Sequence, residues 1–421
     1  MGRKAATPTP LAQVDLGLPE FIVIDRKENA SGILYILNPN EELTRPMKCP
    51  FCNSDHVIVH KVQQRQVVDI DERGKQVGLR INVRRFQCQG CNQIITPFFP
   101  SLDKKTTVRL REQIIKDCYN KPFSTVASRY GLSVSTVRSI FVDGTAGLLA
   151  SYTPECPAVL GIDEVHLQKS YIGVFVDVSK SNGNRIIELT QNRSKETVKA
   201  LLRRLKHPER LQCVTMDMWR PYRDAVYEVF PDIPVVIDRF HIMKELIKCL
   251  DSIRAKISKN IQDDTKGTKR KSLKRNRFLI LSSDQNLSQK QAKLRDDLLN
   301  EFPAFTVPYY LKEAFRDIYE VSQSRREAEE SYRIWTESVR DHEIAEFDSF
   351  IETVNAWHTE IFNYFDQPKG HRTNARTESL NRSIRDKDRD GRGYKFDVLR
   401  AKVLFGEPTE HGGIFDFDAF D

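Results

Sequence analysis

No stretch of this 421-residue chain reaches 18 apolar residues, and the opening Met1-Gly2-Arg3-Lys4-Ala5-Ala6-Thr7-Pro8 is polar with no apolar run behind it. Neither a membrane span nor a secretory signal is expected. The myristoylation pattern is missing too, because position 6 is Ala rather than Ser or Thr. The chain also lacks an internal repeat and a coiled-coil heptad, and Gly and Pro, at 19 each, are too sparse for a fibrous or low-complexity protein. A strong charge imbalance is absent: 66 Lys and Arg stand against 58 Asp and Glu, and the excess of +8 favours a polyanionic partner only mildly. What remains is a chain long enough for several folded domains with a sizeable core.

The eight cysteines fall into two sets. Cys49, Cys52, Cys88 and Cys91 form two Cys-x-x-Cys pairs, and Cys118, Cys156, Cys213 and Cys249 stand alone. Four thiolates from two knuckles complete a tetrahedral shell with no open position, which predicts a structural Zn²⁺ rather than a catalytic one. Between the pairs, Gln66–Ile70 and Val77–Phe86 read as two strands around Asp71-Glu72-Arg73-Gly74, so a hairpin carries the knuckles at its base.

The patterning divides the rest. Residues 1–45, with Pro8, Pro10, Pro19 and Pro39, read as a loose, flexible arm, and 46–100 as a zinc-binding, ribbon-like domain. Helical periodicity follows over 104–150. There, Phe123–Tyr130, the Gly131-Leu132-Ser133 turn and a helix from Val134 to about Phe141 have the layout of a helix-turn-helix. Its candidate DNA-contacting residues are Arg129, Ser133, Ser135, Thr136 and Arg138. From Ala158, strands and helices alternate in the manner of a mixed α/β sheet. A turn is expected at Lys180-Ser181-Asn182-Gly183, and acids close the apolar runs at Asp163, Asp217 and Asp238. From Phe240 to about Phe365 the pattern is helical, with ten Lys and Arg between Arg254 and Arg277. The Gly/Phe/Asp tail, 406–421, reads as flexible.

Two carboxylates meeting at strand ends are suited to divalent ions and two-metal phosphoryl transfer. Asp163 and Asp217 are candidates, and Asp177 and Asp238 compete with them on sequence alone. A third acid is available on the candidate helix Asn374–Arg382, where Glu378, Arg382 and Arg385 share one face at i, i+4 and i+7. That face sets a carboxylate beside cations able to meet phosphates.

The order of zinc knuckles, helix-turn-helix and acid-bearing α/β domain resembles the bacterial insertion-sequence transposases of the ISL-three family. The resemblance rests on Gly161-Ile162-Asp163-Glu164, Asp217-Met218-Trp219-Arg220-Pro221-Tyr222, Asp238-Arg239-Phe240-His241 and Asn374-Ala375-Arg376-Thr377-Glu378-Ser379-Leu380-Asn381, and covers about residues 46 to 405. Ser379 departs from the Gly common there. The resemblance implies a ribonuclease-H-like catalytic domain over 156–240 and 366–405, interrupted by a helical insertion at 241–365. It implies Asp163, Asp217 and Glu378 as a DDE triad binding Mg²⁺ or Mn²⁺, and the choice of Asp217 over Asp238 comes from the family pattern. It further implies double-stranded DNA as partner, both transposon ends and target, with a dimer or larger assembly on DNA and a cytoplasmic, nucleoid-associated bacterial protein. Two other functions fit the residues: a DNA-binding regulator whose nuclease-like domain is not catalytic, and a nuclease that cuts without joining.

Overall fold

The computed structural model describes residues 15–168, 170–179, 185–261, 268–368 and 375–406. The turn expected at 180–183 and the tail at 407–421 lie outside them. The chain divides into two compact units, one of residues 1–152 with 387–421, the other of 153–386.

In the first unit the prolines of the N-terminal segment misled the reading of a loose arm. Strands β1 (Phe21–Asn29) and β2 (Gly32–Pro39) form an antiparallel hairpin, and β2 alternates buried and half-buried residues along its length. Ile33, Tyr35 and Leu37 pack with Val77, Leu79 and Ile81, so the apolar face of β2 is one wall of a core. A short helix α1 (Glu41–Thr44) follows. The expected hairpin between the cysteine pairs is longer than its apolar runs: β3 (Val57–Glu72) pairs antiparallel with β4 (Lys75–Cys88). With β5 (Ile94–Ile95), β6 (Leu102–Asp103) and β7 (Thr106–Thr107) the sheet runs β1-β2-β4-β3-β7-β6, and β5 pairs with β4.

Three helices complete this part: α2 (Val108–Asn120), α3 (Phe123–Tyr130) and α4 (Val134–Ser151). Gly131 ends α3 in the left-handed region at φ 65°, which a residue bearing Cβ rarely adopts. The Ser133 hydroxyl then caps α4 by accepting from the Thr136 N–H at 3.1 Å. α4 runs ten residues past the predicted Phe141 end. Its Gly144 faces Ile115, whose Cδ1 would lie 2.3 Å from any Cβ there, so α2 and α4 approach closely at that point. The last described helix, α16 (Phe396–Phe405), packs here as well: Val398 and Ala401 join Leu110, Ile114, Phe123 and Phe141 in one core. The described residues from 387 onward therefore group with residues up to 152, where the sequence reading had assigned 366–405 to the catalytic domain.

The second unit is built on a five-stranded mixed sheet of order β10-β9-β8-β11-β12. Its strands are β8 (Val159–Leu167), β9 (Ser170–Asp177), β10 (Arg185–Thr190), β11 (Cys213–Met216) and β12 (Val235–Ile237). β8, β9 and β10 are antiparallel neighbours, whereas β11 runs parallel to both β8 and β12. Helix α5 (Lys195–Leu202), capped by Ser194, precedes β11, and α6 (Arg220–Val229), with Pro221 in its first turn, leads to β12. The apolar runs of β8, β11 and β12 are buried throughout the ladder because helices cover the sheet.

After β12 the described chain is helical, as the periodicity predicted. α7 (Arg239–Asn260), α8 (Thr268–Arg275), α9 (Arg277–Leu281), α10 (Gln289–Glu301), α11 (Thr306–Val321), α12 (Arg325–Asp341), α13 (Asp348–Ala356) and α14 (His358–Asp366) precede α15 (Ala375–Asp390). An aromatic cluster of Phe315, Tyr332, Trp335, Phe350 and Phe362 joins α11 to α14. Asn363 Nδ2 donates to the Val235 carbonyl at 2.9 Å, which ties α14 to the sheet. Among the described residues no helix is long and apolar enough to cross a membrane.

Candidate active site and metal centre

Register brings three acids into one row. The parallel ladder of β8 and β11 pairs Ile162 with Met216, and that of β11 and β12 pairs Met216 with Ile237. The next residue of each strand is Asp163, Asp217 and Asp238, so the three lie side by side at the carboxyl edge, about one strand spacing of 4.8 Å apart. Asp163 is not a strand-end residue as the sequence suggested, because β8 continues to Leu167 along its antiparallel partner β9.

The row then divides by what each carboxylate touches. Asp238 is buried and caps α7, accepting from the Phe240 N–H at 2.8 Å. Asp177 pairs with Leu160 toward the other end of β8 and accepts from the Ser179 N–H at 2.9 Å. Both competitors thus serve local backbone. Asp163 and Asp217 face each other electrostatically. Burial, then the neighbouring Asp217 charge, pushes the Asp163 carboxyl up to about 6. Asn381 Nδ2 on α15 donates to Asp163 Oδ2 at 2.6 Å, and the Glu164 N–H donates to Oδ1 at 2.7 Å. Asp217 Oδ1 lies 2.8 Å from His241 Nε2. Burial works to lower the His241 imidazole, but the adjacent Asp217 carboxylate outweighs it and raises its pKa above the ordinary value.

Sequence reasoning singled out neither Asn381 nor His241, although both stand in the quoted motifs. It also missed Arg193, which lies 3.9 Å from the Tyr171 ring centroid and 4.2 Å from that of Trp219. Its Nη1 reaches Glu164 Oε1 at 2.6 Å. One guanidinium therefore ties the residue after Asp163 to the residue two past Asp217. No local pattern marks it, since its partners are 29 and 26 positions away.

Helix α15 buries a mostly polar stripe, Thr377, Asn381 and Asp388 with the apolar Ile384. Glu378, Arg382 and Arg385 share an adjacent, exposed face, in agreement with their predicted spacing. Glu378 sits one turn before Asn381. Among the described residues it does not close with Asp163 and Asp217 into a group tight enough to enclose an ion. The acid pair nevertheless suits a divalent cation. Two half-buried carboxylates repel each other, and the Asn381 Oδ1 beside them is buried without a partner.

In the first unit the four cysteines do close. All four Sγ atoms lie within 4.8 Å of one another, with Cys49–Cys91 at 3.6 Å and Cys52–Cys88 at 3.5 Å. A tetrahedron with Zn–S arms of about 2.3 Å has edges of about 3.8 Å, so the cluster fits structural Zn²⁺. Each knuckle ends on an asparagine in the left-handed region, Asn53 at φ 61° and Asn92 at φ 57°. The Gly90 N–H donates to Cys88 Sγ at 3.3 Å. Backbone N–H groups of Cys91 and Gly90 hold the Cys88 thiol down at about 6, which favours the thiolate a metal needs.

Of the five candidate DNA contacts, Ser135 and Arg138 are exposed on the first turns of α4 and Thr136 is half-buried beside them. Ser133 is the cap already described. Arg129 is committed within the unit, 3.0 Å from Asp71 and 3.2 Å from Asp117.

Comparison with known proteins adds the family. Residues 160–403 match the model of the ISL3 DDE transposases, described as "Transposase". Residues 45–91 match a model described as the zinc-finger of transposase IS204/IS1001/IS1096/IS1165. The chain is also similar to the transposase for insertion sequence element IS1001 of Bordetella parapertussis, 24% identical over 378 residues that cover 85% of this chain and 89% of that protein.

Proposed function

The chain belongs to the ISL3 family of transposases, and from that premise we propose that it binds the terminal inverted repeats of an insertion sequence, cleaves the ends and joins them to target DNA. The observation that carries the reading is the Asp163 and Asp217 pair at the carboxyl edge of β8 and β11. The sheet order, three antiparallel strands followed by two parallel ones, supports a ribonuclease-H-like catalytic domain interrupted by the helices α7 to α14.

In this reading Asp163, Asp217 and Glu378 hold the divalent ions. Mg²⁺ or Mn²⁺ there would supply the Lewis acidity that activates the attacking oxygen and stabilises the leaving one. The chain's own groups prepare the site. Asn381 fixes the Asp163 carboxylate by donating to Oδ2, while His241 braces Asp217. Arg193 locks the segments that follow both acids between two rings. Glu378 joins them by a movement of α15, whose next turn touches Asp163 through Asn381. Arg382 and Arg385, on the same face as Glu378, meet backbone phosphates. The chemistry is then two displacements at one site: water cleaves the phosphodiester at the transposon end to release a 3′-hydroxyl, and that hydroxyl attacks target DNA.

The zinc knuckles, together with α3, its turn and α4 read as a helix-turn-helix, supply recognition of the repeats. Ser135, Thr136 and Arg138 enter the major groove, with Ser133 at the cap beside them. Arg129 braces α3 against Asp71 and Asp117 and positions that helix. Synapsis of two ends calls for a dimer or larger assembly.

The test is a cleavage and joining assay on labelled DNA carrying the element's own ends, with Mg²⁺, comparing wild type and Asp217→Asn. Nicked and joined products are expected from wild type, and both fall to background in the variant while end binding persists. Tight end binding with no cleavage by wild type would instead favour the regulator, for which the exposed Glu378 speaks. Nicking without joined products would favour a simple nuclease.

A further inference from the structure

A cavity of about 640 Å³ opens between the start of α7, the residues after α9 and helix α11, with Asp238 of the acid row in its lining. It lies in the middle of the roughly 300–1,000 Å³ range of small-ligand pockets. Its charged lining consists of three cations, Arg239, Lys312 and Arg316, and three acids, Asp238, Glu313 and Glu320. These are spent on one another. Arg239 meets Glu320 at 2.7 Å, Glu313 takes both Lys312 at 2.6 Å and Arg316 at 2.8 Å, and Asp238 caps α7. A phosphate would need surplus positive charge there and a metal surplus negative charge; the lining offers neither.

The cavity does offer an aromatic face and uncharged polar groups. Phe240 is 59% exposed at the cavity, a large apolar ring left open to solvent. Gln285 and Asn286 are exposed on the side formed by the insertion, and Ser282 and Ser283 lie next to them. A ring to stack on and amide edges to hydrogen-bond are the demands of a flat, neutral, polar-edged ligand. Its position narrows the class further. Phe240 adjoins His241, their Cα atoms about 3.8 Å apart and their rings 5.4 Å centre to centre, and His241 touches Asp217.

We propose that this cavity receives a nucleobase turned out of the DNA duplex next to the scissile phosphate, stacked on Phe240 and held at its edge by Gln285 and Asn286. The inference rests on the transposase reading above. Removing a base from the stack costs free energy, and a stacking ring with polar edges returns part of that cost. Opening the strand at that point exposes the phosphodiester to Asp163 and Asp217.

The experiment uses full-length protein and transposon-end DNA in which 2-aminopurine replaces one base at a time through the cleavage region on both strands. A several-fold rise in fluorescence is expected at one position for wild type, lost in Phe240→Ala and in Asn286→Ala while end binding stays within about threefold. An abasic residue at that position, which removes the cost of extrusion, should restore cleavage by Phe240→Ala. Wild type that nicks the ends with no position brightening overturns the proposal and leaves the transposase reading intact. So does a signal that survives in both variants. A free nucleotide that raises the melting temperature of wild type but not of Phe240→Ala, with no 2-aminopurine signal, assigns the cavity to a soluble ligand and also overturns it. Wild type that neither binds nor nicks the ends removes both readings together.

Discussion

Lys402 shows how much one buried charge can do. Its Nζ donates to the carbonyls of Cys118 and Lys121, the latter at 3.0 Å, and so satisfies the open C-terminal end of α2. The rings of Phe123, Phe141 and Tyr394 surround it at 4.9, 5.4 and 4.9 Å. Burial nevertheless pulls its pKa down to about 8 from an ordinary 10.5. Between those values the unfolded chain binds the proton and the folded one does not, so stability rises with pH across that window. In urea melts followed by circular dichroism, the stability of wild type relative to Lys402→Met should shift in favour of wild type by about 2 kcal/mol between pH 7.5 and 9.5, at 1.36 kcal/mol per pH unit above 8. A difference that does not change with pH would mean that the lysine keeps its ordinary pKa and stays charged in the folded protein across that range. The acid row makes the complementary point. Asp163, Asp217 and Asp238 are alike in sequence setting and adjacent in space, and only their partners separate a helix cap from a facing pair.

At the scale of elements, the knuckles and the hairpin form one device. The long strands β3 and β4 carry the cysteine pairs at their outer ends, and four thiolates join what sheet hydrogen bonding alone would leave to fray. Structural Zn²⁺ in such sites contributes on the order of 10 kcal/mol or more to local folding. Cys88→Ser is therefore expected to lower bound zinc from about one per chain to near zero by elemental analysis, and to abolish binding of the transposon ends. The three tryptophans, Trp219, Trp335 and Trp357, all belong to the second unit. Their emission should stay as in wild type, and a red shift on loss of zinc would refute independent folding of that unit. The same logic explains Gly131 and Ser133. A left-handed stop and a hydroxyl cap within three residues force the turn between α3 and α4 whatever surrounds it.

At the scale of the whole molecule, the chain closes on itself: residues after 386 complete the unit that residues 15–152 begin. α16 covers α2, and Cys118 beneath it has no exposed surface. A stop codon after Asp386 removes that cover. The shortened chain is expected to react at Cys118 with a thiol reagent at least about tenfold faster than full-length protein, measured in a form whose other non-zinc cysteines are replaced by serine, and to lose end binding. Equal labelling rates would show that α16 is dispensable for the core it joins. Much of the architecture could be read without coordinates, because it rests on short-range rules. Cysteine spacing set the metal centre, the change of period from two to 3.6 separated sheet from helix, and the offset of Glu378, Arg382 and Arg385 put them on one face of α15. β2 was legible in principle from the alternation of Ile33, Tyr35 and Leu37, but the flanking prolines masked it. What only tertiary structure decided is pairing across distance. Strand register put Asp217 beside Asp163, and helix packing brought Asn381 to Asp163 across 218 positions and Lys402 to Cys118 across 284. No sequence window spans such separations, since which distant groups meet is fixed by the free energy of burying whole faces and not by the preferences of neighbouring residues.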